Sequence, residues 1–244
     1  MSDWDGLTRR PGGYRLGADP RPPRLVLLPG IEGDARFFLR QVPLAARRPV
    51  AALSLPAADT IPELAAALVS HLPKSPVVLF GASLGGLVGW QLALEHPQRI
   101  AGLITLGSLP DPGLAPRRLR PAGRVLAALP AGLFSALYRR RIAARLAEEG
   151  VPPALQSALL SLLPERDTLA ARLRAVASWQ PAGPPPVPTL WLRGQFDQEI
   201  SWDTITVQRA LPSVGVETVP GGHRAYLTHA RALHAVIDHF DRSL

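Results

Sequence analysis

Residues 77–86 read VVLFGASLGG, a short apolar run followed by a Gly-x-Ser-x-Gly motif centred on Ser83. The run is typical of a buried parallel strand, and the residues from Leu84 onward have a helical pattern. A tight turn between the two requires small neighbours, here Gly81 and Gly85, and forces the serine into strained backbone geometry. We therefore expect the Ser83 hydroxyl to project at the end of the strand, beside a helix N-terminus that favours a developing anion.

A five-residue motif of this kind also occurs by chance as an ordinary glycine-rich turn, so its surroundings matter. Strand patterns alternate with helix patterns along the chain, and we expect strands at residues 24–28, 50–53, 77–80, 100–106, 189–193 and 216–219. Two of the helices have recognisable N-caps, Asp34 and Thr60. The alternation predicts an α/β fold with a mostly parallel central sheet flanked by helices.

The alternation stops between residues 109 and 188, where only helical patterns broken by prolines occur. We expect this stretch to be a helical lid with a proline-rich return linker, inserted before the penultimate core strands. The core itself is then formed by residues 24–108 and 189–244, and residues 1–23 form an N-terminal arm or an edge hairpin. Such a lid would lie over Ser83 and select the substrate.

Composition narrows the functional classes. A chain of 244 residues, 47% of them hydrophobic, suits one domain with a substantial core. Cysteine is absent, which excludes disulfides, thiolate metal sites and cysteine nucleophiles. The net charge of +8 is carried by arginines with Lys74 as the only lysine, and no nucleic-acid-binding motif accompanies them, so we expect no nucleic-acid partner.

Targeting and metal signals are missing from the sequence. The N-terminal residues do not form a signal segment and no apolar run reaches membrane-spanning length, so we predict a soluble, cytoplasmic protein without integral membrane association. The six histidines include neither an HExxH motif nor a helical ligand pair, so we predict no metal site and no cofactor. The oligomeric state is not indicated.

Two residues of the types that activate a serine follow later strands. Asp197 comes after the strand at residues 189–193, and His223 comes after the strand at residues 216–219 and a Gly-Gly pair. The carboxyl ends of parallel strands meet at one edge of a sheet, so these side chains can reach Ser83. A serine needs an imidazole to take its proton, and the imidazole needs a carboxylate to fix its tautomer.

Alternatives exist for both partners. Asp111, which follows the strand at residues 100–106, is a competing acid, and Asp197 could be only a turn residue. The other histidines lie within or at the ends of predicted helices, where they are typical surface or core residues: His71, His96, His229, His234 and His239. We select Asp197, because a helix and a strand follow it in the expected places, and His223, because it alone among the histidines follows a strand and a double glycine.

The order serine, acid, histidine around this motif resembles the α/β hydrolase superfamily over residues 24–244. More narrowly, the chain looks like the maspardin-type branch, in GDARFFLRQ at 33–41, LFGASLGG at 79–86, FDQ at 196–198, and GG at 221–222 followed by Tyr226 and Leu227. That resemblance implies a helical lid. The best-known maspardin-type protein is regarded as a binding or adaptor protein with an altered histidine position, whereas His223 is present here.

The superfamily resemblance also implies an oxyanion hole. One donor is the amide after the nucleophile, Leu84, and the other comes from the PGIEG loop after the first core strand, where we select Ile31 with Gly30 as the motif glycine. Pro29-Gly30 replaces the usual His-Gly opening of this loop. We interpret Glu32 in the same loop as facing solvent, with a catalytic role as the alternative.

Together these features predict a serine hydrolase that cleaves a carboxylic ester of a small to medium apolar acyl or alkyl substrate through an acyl-enzyme. One alternative is an acyl thioesterase acting on coenzyme A or carrier-protein substrates, and another is a catalytically silent binding or adaptor protein of the same fold. The thioesterase alternative rests on the basic lid, although we interpret its arginines first as a solvated face: Arg117, Arg118, Arg120, Arg124, Arg139, Arg140, Arg141 and Arg145.

Overall fold

The computed structural model describes residues 5–110, 125–126, 128–200 and 203–244. Within these ranges one sheet has eight strands in the order β1-β2-β4-β3-β5-β6-β7-β8. The strands are β1 (Leu7–Arg10), β2 (Gly13–Leu16), β3 (Leu25–Leu28), β4 (Val50–Leu53), β5 (Val77–Ala82), β6 (Ile100–Leu106), β7 (Thr189–Gly194) and β8 (Gly215–Val219). β1 pairs with β2 and β2 pairs with β4 in antiparallel fashion, and the five other pairings are parallel.

Helices pack on both faces of this sheet. They are α1 (Ile61–Val69), α2 (Leu84–Glu95), α3 (Ala131–Glu148), α4 (Pro153–Leu160), α5 (Arg166–Ser178), α6 (Thr204–Ala210), α7 (Ala225–Thr228) and α8 (Ala230–Ser243), with 3-10 helices at Ala35–Ala46 and Pro97–Arg99. Successive residues of β3 enter two different hydrophobic clusters, Leu25 and Leu27 in one and Val26 and Leu28 in the other. The sheet is therefore buried on both sides, and the predicted fold class is confirmed.

Local signals in the sequence account for several helix starts. The Asp34 side chain accepts a hydrogen bond from the Arg36 amide at 2.8 Å, and Thr60 Oγ1 accepts one from the Glu63 amide at 3.2 Å. The segment after Asp34 is a 3-10 helix, with Pro43 inside it. Proline has no amide hydrogen to donate, which disfavours a regular α-helix there.

The interruption of the alternating pattern corresponds to α3, α4 and α5, which lie in the chain between β6 and β7. Three tryptophan side chains pack together where the chain runs from α5 back to the sheet. Trp90 of α2 packs edge-on against Trp179, just after α5, and against Trp191 of β7, with ring centroids 5.1 and 5.5 Å apart. The end of α5 is thus held against the helix that follows Ser83.

None of the helices in the described ranges has both the length and the apolar character needed to span a bilayer.

Candidate active site

Ser83 lies between the last residue of β5 and the first residue of α2, as predicted from the motif. Its φ of 50° is positive, and no other non-glycine residue in the described part of the chain has a positive φ. Hydrogen bonds hold this conformation, because the Ser83 amide donates to the Leu106 carbonyl at 2.7 Å and the Gly86 amide donates to the Ser83 carbonyl at 3.0 Å. Backbone strain of about 1–3 kcal/mol is typical of such a residue and persists only where the surroundings enforce it.

The motif glycines allow the close approach that this turn needs. A Cβ atom on Gly81 would overlap the backbone of Gly85, and a Cβ atom on Gly85 would overlap the carbonyl of Leu28 in β3. A Cβ atom on Gly30 would lie 3.6 Å from the Cβ of Ser83, which shows that the loop after β3 runs directly beside the serine. All three glycines therefore serve the packing around Ser83.

Asp197 and His223 lie after β7 and β8 and form a buried pair. His223 Nδ1 is 2.9 Å from Asp197 Oδ2. The other carboxylate oxygen of Asp197 accepts hydrogen bonds from the backbone amides of Glu199 and Ile200 at 2.9 and 3.0 Å. With Nδ1 donating to the carboxylate, Nε2 is the nitrogen left to accept a proton. The competing acid, Asp111, lies outside the described residues.

The charges around His223 favour its protonated form. Burial alone would lower the pKa of His223, but the hydrogen bond with Asp197 and the charge of Glu199 outweigh burial, and the pKa is raised. Glu199 Oε2 lies 4.0 Å from Nε2. Burial would raise the pKa of Glu199 itself, yet the charges of Arg224 and His223 lower it to about 2, so Glu199 is ionised at neutral pH.

Ser83 and His223 line one cavity of about 450 Å³. Leu84 and Ile31, the residues selected as oxyanion donors, line the same cavity. As the first residue of α2, Leu84 has an amide without a partner inside its own helix. The walls are largely apolar and come in great part from α3 and α5, with Phe134, Leu137, Ile142, Leu169, Leu173 and Val176. The structure thus brings four of the five predicted site residues to one space, with Asp197 behind His223.

Arg172 of α5 holds the loop that contains Ile31. Its side chain is buried, with 4% of the residue exposed, and Nη1 donates to the carbonyls of Ile31 and Glu32 at 2.9 Å each. The same guanidinium donates to the carbonyls of Leu55 and, at 3.2 Å, Pro56. Burial lowers the pKa of Arg172. Sequence reasoning missed this residue, because nothing in its helical pattern indicates contact with a loop 140 positions away.

The prediction that Glu32 faces solvent is wrong. Glu32 is 5% exposed, and its Oε1 accepts a hydrogen bond from Arg224 Nη2 at 3.0 Å. Arg224 is itself buried and also binds Glu149 at 3.1 Å and Glu199 at 2.5 Å. One arginine next to His223 thus partly neutralises three carboxylates. Its hydrogen bond and charge offset part of the desolvation penalty of burying Glu32.

Four of the eight arginines singled out in the predicted lid lie in the described residues, and three of these four face solvent, as predicted. Arg139, Arg140 and Arg141 are exposed, while Arg145 pairs with Glu148 at 2.8 Å. Arg141 and Arg145 also line the mouth of the cavity. Four further arginines of the predicted lid lie outside the described residues: Arg117, Arg118, Arg120 and Arg124.

In the described part of the chain, no group of three or more histidine, aspartate or glutamate side chains could hold a metal ion.

Comparisons with known proteins agree with this architecture. Residues 23–147 match the family model of the alpha/beta hydrolase fold. The chain is 30% identical over 258 aligned positions to the pimeloyl-acyl-carrier-protein methyl ester esterase of Aeromonas hydrophila, covering 89% of this chain and 95% of that protein. The chain therefore belongs to the α/β hydrolase family. Its relative is an ester hydrolase, which supports a hydrolytic activity.

Solved structures share the fold at low sequence identity. A hydrolase from Pseudomonas aeruginosa PA01 superimposes with a TM-score of 0.76 at 18% identity, covering 97% of this chain and 98% of that one. The enol-lactonase from Burkholderia xenovorans LB400 superimposes with a TM-score of 0.74 at 16% identity, covering 98% of both chains.

The narrower likeness to the maspardin-type branch stays a prediction.

Proposed function

We propose that the protein is a serine hydrolase that cleaves carboxylic esters through an acyl-enzyme. The observation that carries this proposal is the hydrogen-bonded pair of His223 and Asp197 at a cavity that also contains a serine in strained backbone geometry. A buried pair of this type provides the base that a serine lacks at neutral pH. The relative's ester hydrolase activity supports the same reaction class.

In the proposed first step, Ser83 Oγ attacks the ester carbonyl and His223 Nε2 takes the hydroxyl proton. The carbonyl oxygen becomes an oxyanion, which accepts hydrogen bonds from the amides of Leu84 and Ile31. Each such donor is typically worth about 3 kcal/mol of transition-state stabilisation. The imidazolium then gives its proton to the departing alkoxide, which leaves as an alcohol and leaves the acyl group on Ser83.

In the second step, water attacks the acyl-enzyme while His223 takes one of its protons. Collapse of the tetrahedral intermediate releases the carboxylic acid and returns the proton to Ser83. Asp197 keeps Nδ1 protonated and stabilises the imidazolium in both steps. The raised pKa of His223 fits a group that must accept a proton during the reaction.

The substrate that fits this cavity is largely apolar. We propose that residues 109–188 form a lid, with α3 and α5 supplying leucine, isoleucine, valine and phenylalanine to the walls. A volume of about 450 Å³ lies at the lower end of ordinary ligand sites, which favours a small to medium acyl or alkyl group.

A second candidate is an ester or thioester substrate attached to a carrier. The relative acts on the methyl ester of an acyl group carried by acyl carrier protein. Arg141 and Arg145 stand at the mouth of the cavity here, where they can receive an anionic carrier or the phosphates of coenzyme A.

Reaction with a fluorophosphonate probe tests the proposal. We expect the intact protein to be labelled, and labelling to disappear in Ser83→Ala and to fall strongly in His223→Ala. Ser70→Ala and His239→Ala are the matched controls, because Ser70 directly after α1 and His239 in α8 are both exposed. Both variants should be labelled like the intact protein. Absence of labelling in the intact protein would contradict a hydrolase and favour a silent binding protein of this fold.

Substrate panels then separate the two candidates. We expect p-nitrophenyl esters of medium chain length to be cleaved with a higher kcat/KM than the matching acyl-coenzyme A thioesters. A preference for the coenzyme A series that disappears in Arg141→Ala would reverse this order.

A further inference from the structure

The hydroxyl group of Tyr138 has no function in the proposed mechanism. Tyr138 belongs to α3 and lines the cavity, and its ring stacks on that of the buried Phe134 with centroids 5.4 Å apart and planes 18° apart. The hydroxyl oxygen is buried, and no hydrogen-bond partner for it exists among the described residues. Buried hydroxyls in proteins are ordinarily paired, so this one is positioned for a partner that is not part of the described chain.

The surroundings of this hydroxyl are polar and charged. Glu32, Arg224 and Glu199 all act on it electrostatically, and burial together with the charge of Glu32 raises the pKa of Tyr138. The hydroxyl therefore stays protonated over the range in which the protein would work, and it can donate a hydrogen bond. Tyr138 lines the same cavity as Ser83 and His223, and two of the charged residues that act on it adjoin the candidate site: Glu32 follows Ile31 in the loop, and Glu199 Oε2 lies 4.0 Å from His223 Nε2.

The charge of this region selects among possible acceptors. Two carboxylates, Glu32 and Glu199, and two guanidinium groups, Arg224 and Arg172, act on the hydroxyl, and Arg224 already binds both carboxylates. Because these charges are paired with one another, an anionic group of a substrate would be buried there without a counter-ion of its own, which is costly, whereas a neutral oxygen atom needs none. Elsewhere the described walls from α3 and α5 are apolar apart from arginines at the mouth.

We propose that Tyr138 is a specificity residue that donates a hydrogen bond to a neutral oxygen atom of the substrate. This inference rests on the proposed function and narrows its substrate class. The preferred ester has an ether, hydroxyl or carbonyl oxygen near the scissile bond, on an otherwise apolar chain. A matching substrate with a free carboxylate at that position is disfavoured.

The test compares Tyr138→Phe with the unchanged protein on two series of p-nitrophenyl and alkyl esters. In the p-nitrophenyl series an ether oxygen replaces one methylene at successive positions along the acyl chain, and in the alkyl series it does so along the alcohol. The quantity measured is the ratio of kcat/KM for the oxygen-containing ester to that for its all-carbon partner. Intrinsic reactivity of the esters cancels when this ratio is compared between the two proteins.

We expect one oxygen position at which the ratio is about tenfold higher in the unchanged protein than in Tyr138→Phe, as for one neutral hydrogen bond. Tyr14→Phe, a partly exposed tyrosine of the β1–β2 hairpin, is the matched control and should keep the ratio of the unchanged protein. Equal ratios in Tyr138→Phe and the unchanged protein at every position would overturn the inference. A carboxylate-bearing ester that is cleaved better than its ether analogue would overturn it too.

Thermal unfolding gives an independent readout. Loss of an unpaired buried hydroxyl removes a desolvation cost, so Tyr138→Phe should have a Tm higher by about 2 °C or more. A hydroxyl already paired within the chain would give a lower Tm, which contradicts the inference.

The specificity role of Tyr138 and the proposed hydrolase function are tested by different outcomes. If the unchanged protein hydrolyses all-carbon esters but the kcat/KM ratios are the same in Tyr138→Phe, only the specificity role is contradicted. Absence of both fluorophosphonate labelling and hydrolysis in the unchanged protein removes the proposed function and the inference together.

Discussion

The sheet and the inserted helices both contribute to the cavity, but they hold their side chains in different ways. Ser83, Asp197 and His223 each follow the end of a strand, and backbone hydrogen bonds fix the turns that carry them. By contrast, α3 and α5 reach the site through long side chains, such as Tyr138 and the guanidinium of Arg172. The proposed reacting groups therefore depend on backbone geometry, whereas the shape of the cavity and of the proposed oxyanion loop depends on side-chain contacts.

The contacts of the two parts differ in their chemistry. The sheet lies between two large clusters of buried apolar side chains, to which the inserted helices also contribute, for example with Leu146 and Ala175. The contact between the inserted helices and the site buries charges, including Arg172, Glu149 and Arg224. Loss of one partner from such a contact leaves polar groups without hydrogen bonds, which costs more than loss of an exposed ion pair. We therefore expect substitutions in the sheet part to affect chemistry, and substitutions in the helical part to affect position and stability.

The largest expected effect is that of Asp197→Asn. The amide cannot hold His223 in the tautomer with Nδ1 protonated, and loss of about 10⁴-fold in kcat is typical of this change. Ester hydrolysis measures it, and Asp203→Asn is the control, since Asp203 is an exposed N-cap of α6 and asparagine also caps helices. A larger loss in Asp111→Asn than in Asp197→Asn would assign the acid to Asp111.

Arg172→Ala tests the helical part. Four backbone carbonyls lose their donor, and we expect a loss of about 3 kcal/mol in the free energy of unfolding, measured with urea. Because the proposed oxyanion loop would be released, kcat should fall by up to about 10²-fold, with a smaller change in KM.

The control for this variant lies on the same helix. Arg174 pairs with the exposed Asp59 at 2.5 Å, and Arg174→Ala should cost less than about 1 kcal/mol with unchanged kcat. Arg172→Lys should not restore activity, because an ammonium group lacks the planar fork that binds several carbonyls. Unchanged kcat in Arg172→Ala would mean that α5 does not position the loop.

The smallest effect concerns pH. Glu199 is ionised down to a pKa of about 2, and its charge helps to raise the pKa of His223. Removal of this charge in Glu199→Gln should lower the pKa of His223, so the acid limb of the kcat/KM profile should move to lower pH. Relative to the unchanged protein, the variant should therefore retain most of its kcat/KM at pH values below the pKa of His223. Glu217→Gln, an exposed residue of β8, should leave the profile in place, and an acid limb that moves to higher pH would contradict the assignment.

The sequence was sufficient to predict the sheet and the edge at which Ser83, Asp197 and His223 lie because those signals are local. The strand before Ser83 is a continuous apolar run, and the turn after it needs glycines at fixed offsets. The helix caps Asp34 and Thr60 also act within three residues, and both are found as predicted. Asp197 and His223 could be selected because parallel strands end at a common edge, a rule that requires no knowledge of side-chain contacts.

The residues that were missed interact over long distances in the chain. Glu32 meets Arg224 across 192 positions, and Arg172 meets Glu32 across 140. Neither helical periodicity nor loop composition reveals such a partner, and a lone glutamate in a loop is ordinarily exposed. Tyr138 was missed for the same reason, because its hydroxyl is distinguished only by what surrounds it in three dimensions. A glutamate beside a predicted oxyanion loop and an arginine directly after the histidine were the available signals.

Arg172 also limits how this protein can be re-engineered. A Cβ atom on Gly33 would overlap the guanidinium of Arg172, so the two residues fit only as a pair. A chimera that received the inserted helices of a relative without an arginine at this position would leave the carbonyls of Ile31 and Leu55 without their donor. The inserted helices are therefore not an interchangeable module, and exchange of substrate range between relatives requires transfer of the loop at residues 29–34 together with α5.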